Sequence, residues 1–268
     1  MSVLCCPVCG KALKKQKKSY LCESGHSYDR AKQGYVNLLQ SQRSSKRNHG
    51  DDKDMVTARR EFLEQGYYEP LRRLLVEKVY FYTDHNGVIA DAGCGEGWYT
   101  EGVAAKMPKA TVIGLDISKE ALKWAAKRQG MDHLAVASCY AMPLAEGSVD
   151  ALLNFFSPLA AEEYARVLKR GGYLFRAVPG DHHLWELKEA VYETPKPNRP
   201  EPEDLAGLTL VERCPIRNEI TLKTNREIVS LFQMTPYYYR TSPADKAKLE
   251  RYETLTVRAE FTLLIYRR

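Results

Sequence analysis

The sequence contains no long apolar run. Its longest apolar stretches, such as residues 261–266, are far shorter than the roughly 20 residues that a helix needs to cross a bilayer. The N-terminus also lacks a secretion signal, in which an apolar core follows a basic start. We therefore predict a cytoplasmic location and no membrane partner. The composition, 44% hydrophobic and 28% charged over 268 residues, is typical of a folded protein with room for one sizeable α/β domain and a small appendage.

The cysteines do not suit a disulfide framework. There are seven, an odd number, in a chain without an export signal, so we expect reduced thiols. Cys6-x2-Cys9, twelve residues, and then Cys22-x3-His26 supply three thiolates and one imidazole, the ligand set of a tetrahedral Zn²⁺ site. Cys5 is an alternative to Cys6 only if the first knuckle widens to three intervening residues, so Cys6 is preferred. Four ligands leave no open position, and the zinc is predicted to fold this segment.

Positive charge is concentrated near the N-terminus. Residues 1–60 hold thirteen Lys or Arg against five acids, whereas the remainder holds 27 basic and 29 acidic residues. Lys14, Lys15, Lys17 and Lys18 fall between the two zinc knuckles, where they would present four ammonium groups to a phosphate backbone. The asymmetry indicates that the front of the chain meets a polyanion, with a solvated basic tail as the alternative.

The rest of the chain alternates between strand and helix patterns. Residues 40–54 are polar and predict a flexible linker, and residues 55–79 have a helical period that Gly66 and Pro70 are expected to break or kink. The alternation predicts an α/β fold with a mostly parallel sheet and helices on both faces, followed by a proline-rich loop at 195–204. The predicted strands are 88–90, 111–115, 134–137, 149–154, 173–178, 208–213 and 256–266, and the predicted helices are 98–106, 119–128 and 159–169.

A glycine-rich loop, DAGCGEG at 91–97, directly follows the first apolar strand and opens a helix. Asp116 ends the next strand, where an acid reaches the ribose of a nucleoside cofactor. The third glycine comes one residue early for a dinucleotide fingerprint, and carboxylates at Asp91 and Glu96 would repel a diphosphate. S-adenosylmethionine carries an ammonium and a sulfonium instead, so an acidic loop complements it. The predicted cofactor residues of this region are Asp91, Gly93, Gly95, Glu96, Gly97 and Asp116.

Other polar residues lie near predicted strand ends. His182 and His183 follow the fifth strand at the carboxyl edge that holds the cofactor loop, and either a loop hydrogen bond or a catalytic role fits that position. Asp150 opens a strand and is given a solvated or capping role.

These features resemble the bacterial 23S ribosomal RNA (guanine-N1)-methyltransferases of the RlmA type, which carry an N-terminal zinc ribbon and modify neighbouring guanines in one stem-loop of the large subunit. The similarity covers essentially the whole chain. Glycine-rich loops occur in all such methyltransferases, whereas the ribbon together with AKQGYVNLL and QMTP is particular to this family. The matching stretches are CPVC…C…H (6–26), AKQGYVNLL (31–39), ARREFLEQGYYEPLR (58–72), DAGCGEGWYT (91–100), LDISK (115–119), ARVLKRGG (165–172), VPGDHHLWELK (178–188) and QMTP (233–236).

The resemblance implies a Rossmann-like class I methyltransferase fold, a doubly wound α/β sheet with a small N-terminal zinc ribbon. Its domains would be 1–36 (zinc-binding, RNA-recognition), 37–57 (basic polar linker) and 58–268 (methyltransferase). S-adenosylmethionine and Zn²⁺ would be the cofactors, with the four zinc ligands given above, and 23S rRNA the partner. The cofactor contacts that it implies are Tyr68, Gly95, Glu96, Asp116 and His183.

The implied reaction moves a methyl group to guanine N1, which lies on the Watson–Crick edge, so the base must be unpaired or flipped. Asp181 and His183 are the nearest candidates by sequence for the proton acceptor. The candidate stacking partners for the base are Trp98, Phe155 and Phe156, which would otherwise be core residues. The candidate phosphate contacts are Lys14, Lys15, Lys17, Lys18, Arg43, Lys46 and Arg47.

Several alternatives stay open at this stage. The chain could be a small-molecule methyltransferase, or an RNA-binding protein with an inactive cofactor site; a nicotinamide-dependent oxidoreductase is disfavoured by the loop carboxylates. Two branches of the family that this sequence resembles methylate different guanines, and one branch is associated with resistance to macrolides such as tylosin. The sequence does not separate these branches, and it leaves the oligomeric state open, with a homodimer as one alternative.

Overall fold

A computed structural model describes residues 3–40 and 50–268. The N-terminal segment forms a three-stranded antiparallel sheet of β1 (Leu13–Lys15), β2 (Ser19–Cys22) and β3 (Ser27–Asp29), followed by the short strand β4 (Val36–Asn37). The helices are α1 (Lys53–Glu64), α2 (Glu69–Tyr82), α3 (Trp98–Lys106), α4 (Lys119–Ala125), α5 (Ala161–Val167), α6 (Trp185–Val191), α7 (Asn225–Gln233) and α8 (Pro243–Ala247). The remaining strands are β5 (Val88–Ala92), β6 (Thr111–Asp116), β7 (His133–Val136), β8 (Val149–Phe155), β9 (Leu168–Pro179), β10 (Thr209–Leu222) and β11 (Leu255–Arg267).

The large sheet has eight strands in the order β10-β11-β9-β8-β5-β6-β7-β4. Strands from β9 to β4 are parallel to their neighbours, whereas β11 pairs antiparallel with both β9 and β10. The chain builds outward from β5 to β7, then returns to place β8 on the other side of β5. This reversal creates a crevice at the carboxyl ends of β5 and β8, the usual ligand site of a doubly wound sheet. The predicted α/β doubly wound fold is confirmed.

Strand β5 shows why the sheet is covered on both faces. Its residues from Ile89 onward are all buried, and Ile89 and Ala90 point into two different apolar clusters. A strand buried on both sides has a continuous apolar sequence, which agrees with the run that predicted it.

The predicted interruption of the helical stretch at 55–79 is observed. α1 ends before Gly66, whose backbone has a φ of 77°, a conformation that favours glycine, and Pro70 lies in the first turn of α2. α1 begins at Lys53, inside the segment predicted as a linker, because the Asp52 side chain accepts a hydrogen bond from the Met55 N–H at 2.9 Å and caps it.

The C-terminal strands differ from the prediction in length. The strand expected at 208–213 is the first half of β10, which continues to Leu222 and pairs with β11 along its whole length. Polar and charged residues are interspersed with apolar ones along β10, so the strand contains no apolar run by which the sequence would predict its full length. The strand expected at 173–178 likewise begins earlier, at Leu168, and the helices expected at 119–128 and 159–169 are shorter, as α4 and α5.

The N-terminal segment packs directly on the large sheet. β4 extends the sheet by pairing with β7, and the Cys5 N–H donates to the Pro143 carbonyl at 2.8 Å. The Tyr20 hydroxyl and His133 Nδ1 lie 2.9 Å apart, and Tyr20 is buried in the contact. These interactions fix the ribbon against the β7 edge. Over the described residues, no helix combines the length and apolar character needed to span a membrane.

Candidate cofactor and zinc sites

Four side chains of the N-terminal segment converge on one point. The ligand atoms of Cys6, Cys9, Cys22 and His26 all lie within 4.8 Å of one another. The Cys9 and Cys22 sulfurs are 3.7 Å apart and the Cys22 sulfur is 3.4 Å from His26 Nδ1. Ligands bonded at about 2.0–2.3 Å in a tetrahedron have separations of this size, so the donor set fits Zn²⁺. Cys5 lies outside the cluster, which agrees with the preference for Cys6.

The glycine-rich loop and Asp116 meet at the carboxyl ends of β5 and β6. One Asp116 oxygen accepts the Gly95 N–H at 2.8 Å and the other accepts the Ser118 N–H at 2.7 Å. These bonds hold the carboxylate at the mouth of the crevice, and burial raises its pKa. The side chain keeps lone pairs for the hydroxyls of a ribose.

Two further carboxylates of the loop are almost fully buried. Asp91 and Glu96 are each 2% exposed, and one oxygen of each, Asp91 Oδ1 and Glu96 Oε1, has no hydrogen-bond partner among the described residues. Thr100 donates to the other Asp91 oxygen at 2.7 Å, and Arg128 donates to Glu96 from its Nε at 2.8 Å. Buried carboxylate oxygens without partners are costly, and an ammonium group of a ligand would satisfy them. The site therefore fits S-adenosylmethionine.

Burial also changes the ionisation of these acids. It raises the pKa of Asp91 to about 7, with the nearby Asp116 charge adding to the shift and the Thr100 hydrogen bond opposing it. Burial raises the pKa of Glu96 as well, while Arg128 opposes the shift. A cationic ligand would restore the charged form of both side chains.

These residues line a cavity of about 250 Å³. It contains five of the predicted cofactor residues, Asp91, Gly93, Gly95, Glu96 and Asp116. Gly97 is placed elsewhere: it precedes α3 and packs toward Met131 and Arg128. The opposite wall comes from the segment 137–140 after β7 and from the segment 155–158 after β8.

A second cavity, of about 390 Å³, adjoins the first. Tyr68 and His183, the other two predicted cofactor residues, line this second cavity. The two cavities share four lining residues: Arg59, Phe156, Ser157 and Pro158. Apart from Gly97, the predicted cofactor residues thus line one or the other of two cavities that share these four residues.

Phe156 stands at the junction of the cavities. It is 48% exposed and has a φ of 54°, which is rare for a bulky residue. The next residue, Ser157, fixes this turn, because its hydroxyl donates to the Ala92 carbonyl and accepts a bond from the Asn154 amide. A strained aromatic residue held open in a crevice is typical of a functional position. Trp98 and Phe155, the other stacking candidates, are buried in the core at 4% and 6% exposure.

His183 is not placed to receive a proton. Its Nδ1 accepts the Glu260 backbone N–H at 3.2 Å, so the ring proton lies on Nε2, which faces the Tyr68 hydroxyl at 3.5 Å. Burial lowers the pKa of His183 to about 3, and the ring is neutral at physiological pH. Asp181 is exposed and lines a separate depression beside β10 and β11. Asp181 thus lies outside both cavities, whereas His183 lines the second cavity with its acceptor nitrogen already occupied.

The predicted phosphate contacts have different surroundings. Lys15 donates to the Asp132 carbonyl at 2.7 Å, within the contact between ribbon and sheet. Lys14 is exposed and lies 3.6 Å from Glu23, and Lys17 and Lys18 are exposed. Arg43, Lys46 and Arg47 lie outside the described residues.

Sequence reasoning missed several residues of the site. Arg128 lies 32 residues beyond Glu96 along the chain, and no local pattern connects them. Thr100, whose hydroxyl donates to Asp91, lies in the first turn of α3. Its place in the motif DAGCGEGWYT could have identified it as a residue of the site. Asn154 and Ser157 belong to the NFFSP stretch at the end of β8, where the carboxyl edge of the sheet predicts functional residues.

Comparisons with known proteins agree with this geometry. The family described as "RlmA, N-terminal", a zinc ribbon, matches residues 4–47, and the family described as "Methyltransferase domain" matches residues 90–176. A protein of Micromonospora griseorubida, named as a candidate 23S rRNA (guanine-N(1)-)-methyltransferase, is 32% identical over 266 residues, which cover 89% of this chain and 88% of that protein. The 23S rRNA (guanine(748)-N(1))-methyltransferase of Streptomyces fradiae is 35% identical over 69% of this chain and 66% of its own.

A third relative, YxjB of Bacillus subtilis, also named as a candidate 23S rRNA (guanine-N(1)-)-methyltransferase, is 29% identical over 92% of this chain and 90% of its own. The matches to the Micromonospora and Bacillus proteins, over 89% and 92% of this chain, are long enough to include residues of both the zinc ribbon and the methyltransferase sheet. With the zinc ligand set and the acidic crevice, they show that the chain belongs to the zinc-ribbon family of S-adenosylmethionine-dependent 23S rRNA (guanine-N1)-methyltransferases.

Proposed function

We propose that this chain methylates N1 of one specific guanine in a stem-loop of 23S rRNA. The observation that carries the proposal is the pair of joined cavities with Phe156 exposed at their junction. The first cavity holds buried carboxylates suited to the ammonium and ribose of S-adenosylmethionine, and the second has room for a flipped base.

We assign the cofactor residues by their chemistry. Asp116 accepts the ribose hydroxyls, and Asp91 and Glu96 receive the ammonium group. Gly93 brings the loop close to the β8 turn: a Cβ at this position would lie 2.4 Å from the Ser157 Cβ. When bound, S-adenosylmethionine supplies an activated methyl group, so the protein contributes chiefly by orienting the two reactants.

The flipped guanine enters the second cavity. Removing a base from its stack costs about a few kcal/mol. Stacking on one aromatic side chain contributes about 1–3 kcal/mol, so Phe156 offsets much of that cost and holds the base beside the cofactor. Because Phe156 borders both cavities, it is the side chain best placed for this role.

The zinc ribbon provides the phosphate contacts that bind the RNA. Lys14, Lys17 and Lys18 are exposed on the ribbon, and their ammonium groups would replace counterions on the phosphate backbone. Arg43, Lys46 and Arg47 are proposed to extend this contact. Because the ribbon is fixed to the β7 edge, its phosphate contacts set the position of the RNA relative to the crevice.

The position of the target guanine and an effect on drug sensitivity are part of the proposal. The Streptomyces fradiae relative is named for guanine 748, and we propose a target in the same stem-loop. An influence on macrolide sensitivity is proposed from the family resemblance in the sequence. Primer extension on 23S rRNA from cells with and without the protein tests both the reaction and the site, because N1 methylation blocks pairing and stops the copying enzyme. A stop at one guanine that depends on the protein is expected. Identical extension patterns, with methyl transfer to a metabolite instead, would favour a small-molecule methyltransferase.

A further inference from the structure

We propose that Glu201 reads the Watson–Crick edge of the flipped guanine and accepts its N1 proton, with Arg176 as the residue that positions it. This inference rests on the proposed function and names a catalytic residue for it. Glu201 lies in the proline-rich loop between α6 and β10, and it lines the second cavity with Arg176.

The two side chains are firmly connected. Arg176 is only 3% exposed, and its guanidinium donates to Glu201 Oε2 at 2.6 Å and to the Pro202 carbonyl at 2.7 Å. The Arg176 backbone lies beside Asn154 in the pairing of β8 with β9, and Arg176 and Phe156 line the same cavity. The loop is thereby held over the cavity with one carboxylate oxygen, Oε1, free of the guanidinium.

Glu201 is the only carboxylate among the described residues that line the second cavity. The other titratable groups with an acceptor atom there are poor proton acceptors. His183 already carries its proton on the nitrogen that faces Tyr68, and its second nitrogen is occupied by a backbone N–H. Burial raises the pKa values of the Tyr68 and Tyr237 phenols, and the Tyr237 hydroxyl donates to Asn198.

The chemistry of guanine matches a carboxylate. Its Watson–Crick edge presents the N1–H and the N2 amino group side by side, and a carboxylate, which is acceptor-only, receives both. Adenine presents an unprotonated N1 there, which a carboxylate repels. The same group therefore selects the base and takes the proton.

The electron balance is complete with these partners. Guanine N1 gives its proton to the Glu201 carboxylate, and the electron pair that held the proton forms the new N1–carbon bond. The carbon–sulfur bond of the donor breaks, and its pair stays on sulfur, which becomes a neutral thioether. General base catalysis of this kind contributes about 10²–10⁴-fold to a rate.

The test is Glu201→Gln, which keeps the size of the side chain and an oxygen for Arg176. The control is Glu203→Gln in the same loop, because Glu203 pairs with Arg213 and does not line the second cavity. We expect E201Q to slow single-turnover methylation of the stem-loop RNA by about 10²-fold or more and to make the remaining rate rise with pH, because solvent must then remove the proton. E203Q is expected to retain the wild-type rate.

A binding measurement separates base recognition from a purely structural role. With S-adenosylhomocysteine present, wild-type protein is expected to bind a stem-loop with guanine at the mapped target more tightly than one with adenine, and E201Q to lose this preference while its affinity for S-adenosylhomocysteine is unchanged. The inference is overturned if E201Q keeps the wild-type rate and preference, if E203Q is equally impaired, or if E201Q also loses the nucleoside ligand. Failure of wild-type protein to methylate 23S rRNA at all would instead refute the proposed function.

Discussion

Replacing Asp116 by Asn tests the assignment of the cofactor cavity. The carboxylate accepts two backbone N–H groups, from Gly95 at 2.8 Å and from Ser118 at 2.7 Å, and is proposed to accept the ribose hydroxyls as well. Asparagine keeps one acceptor oxygen and places an NH₂ where the other oxygen stood, so a donor then faces a donor.

The size of the effect follows from the bonds lost. A hydrogen bond to a charged group contributes about 1.5–3 kcal/mol, and the ribose loses at least one such acceptor. Since about 1.4 kcal/mol corresponds to tenfold in affinity, S-adenosylhomocysteine should bind about 10- to 150-fold more weakly. Loss of the internal bond should also lower the stability of the fold by about 1–3 kcal/mol.

Asp150→Asn is the matched control. Asp150 accepts the Val88 N–H at 2.8 Å and pairs with Lys169 at 2.7 Å, so it is another carboxylate that holds backbone. It lies near the start of β8, at the end of the strand opposite the crevice, where the sequence predicted a solvated or capping role. Titration calorimetry with S-adenosylhomocysteine should show weak binding by D116N and wild-type binding by D150N. Wild-type affinity of D116N, or an equal loss in both variants, would refute the assignment.

Three further predictions concern pH, RNA and zinc. Burial raises the pKa of Asp91 to about 7, so the side chain is mostly protonated at pH 6. The affinity for S-adenosylhomocysteine, measured by calorimetry, should therefore fall between pH 8 and pH 6. An affinity that does not change with pH would contradict the contact between Asp91 and the ammonium group. Replacing Lys14, Lys17 and Lys18 together by Ala should reduce the steepness of the plot of log affinity for stem-loop RNA against log salt by about 2, without changing cofactor affinity. Lys15→Ala should change this slope little, since the Lys15 amine already bonds a backbone carbonyl. Equal slopes for the triple variant and wild type would remove the ribbon from RNA binding. Zinc removal by a chelator should lower the melting temperature measured by circular dichroism, because the ribbon supplies β4 to the large sheet; an unchanged melting curve would argue against a structural zinc.

Local sequence determined the parts of this protein that depend on short-range geometry. The spacing of Cys6 and Cys9, and of Cys22 and His26, fixes two tight turns that each present two ligands, and this pattern sufficed to predict the zinc site. The glycine-rich loop follows its strand directly, so its place at the carboxyl edge was predictable, as was the break between α1 and α2 at Gly66.

Tertiary structure decided which of these side chains are available and what they meet. Lys14 and Lys15 are adjacent in sequence and both exposed, yet Lys15 bonds the Asp132 carbonyl whereas Lys14 lies beside Glu23, because neighbouring strand residues point to opposite sides. The acceptor nitrogen of His183 is occupied by the backbone N–H of Glu260, which lies 77 residues away along the chain.

Tertiary contacts also decided which side chains line the second cavity. Phe156 opens into it because the turn after β8 is fixed by contacts with the β5 loop, and Glu201 reaches it because Arg176, on β9, holds the proline-rich loop. Such contacts join segments that are distant in sequence and form only when the sheet packs, so no spacing rule encodes them. Composition and motifs determined the fold and the cofactor, whereas the packed sheet decided which groups face the substrate.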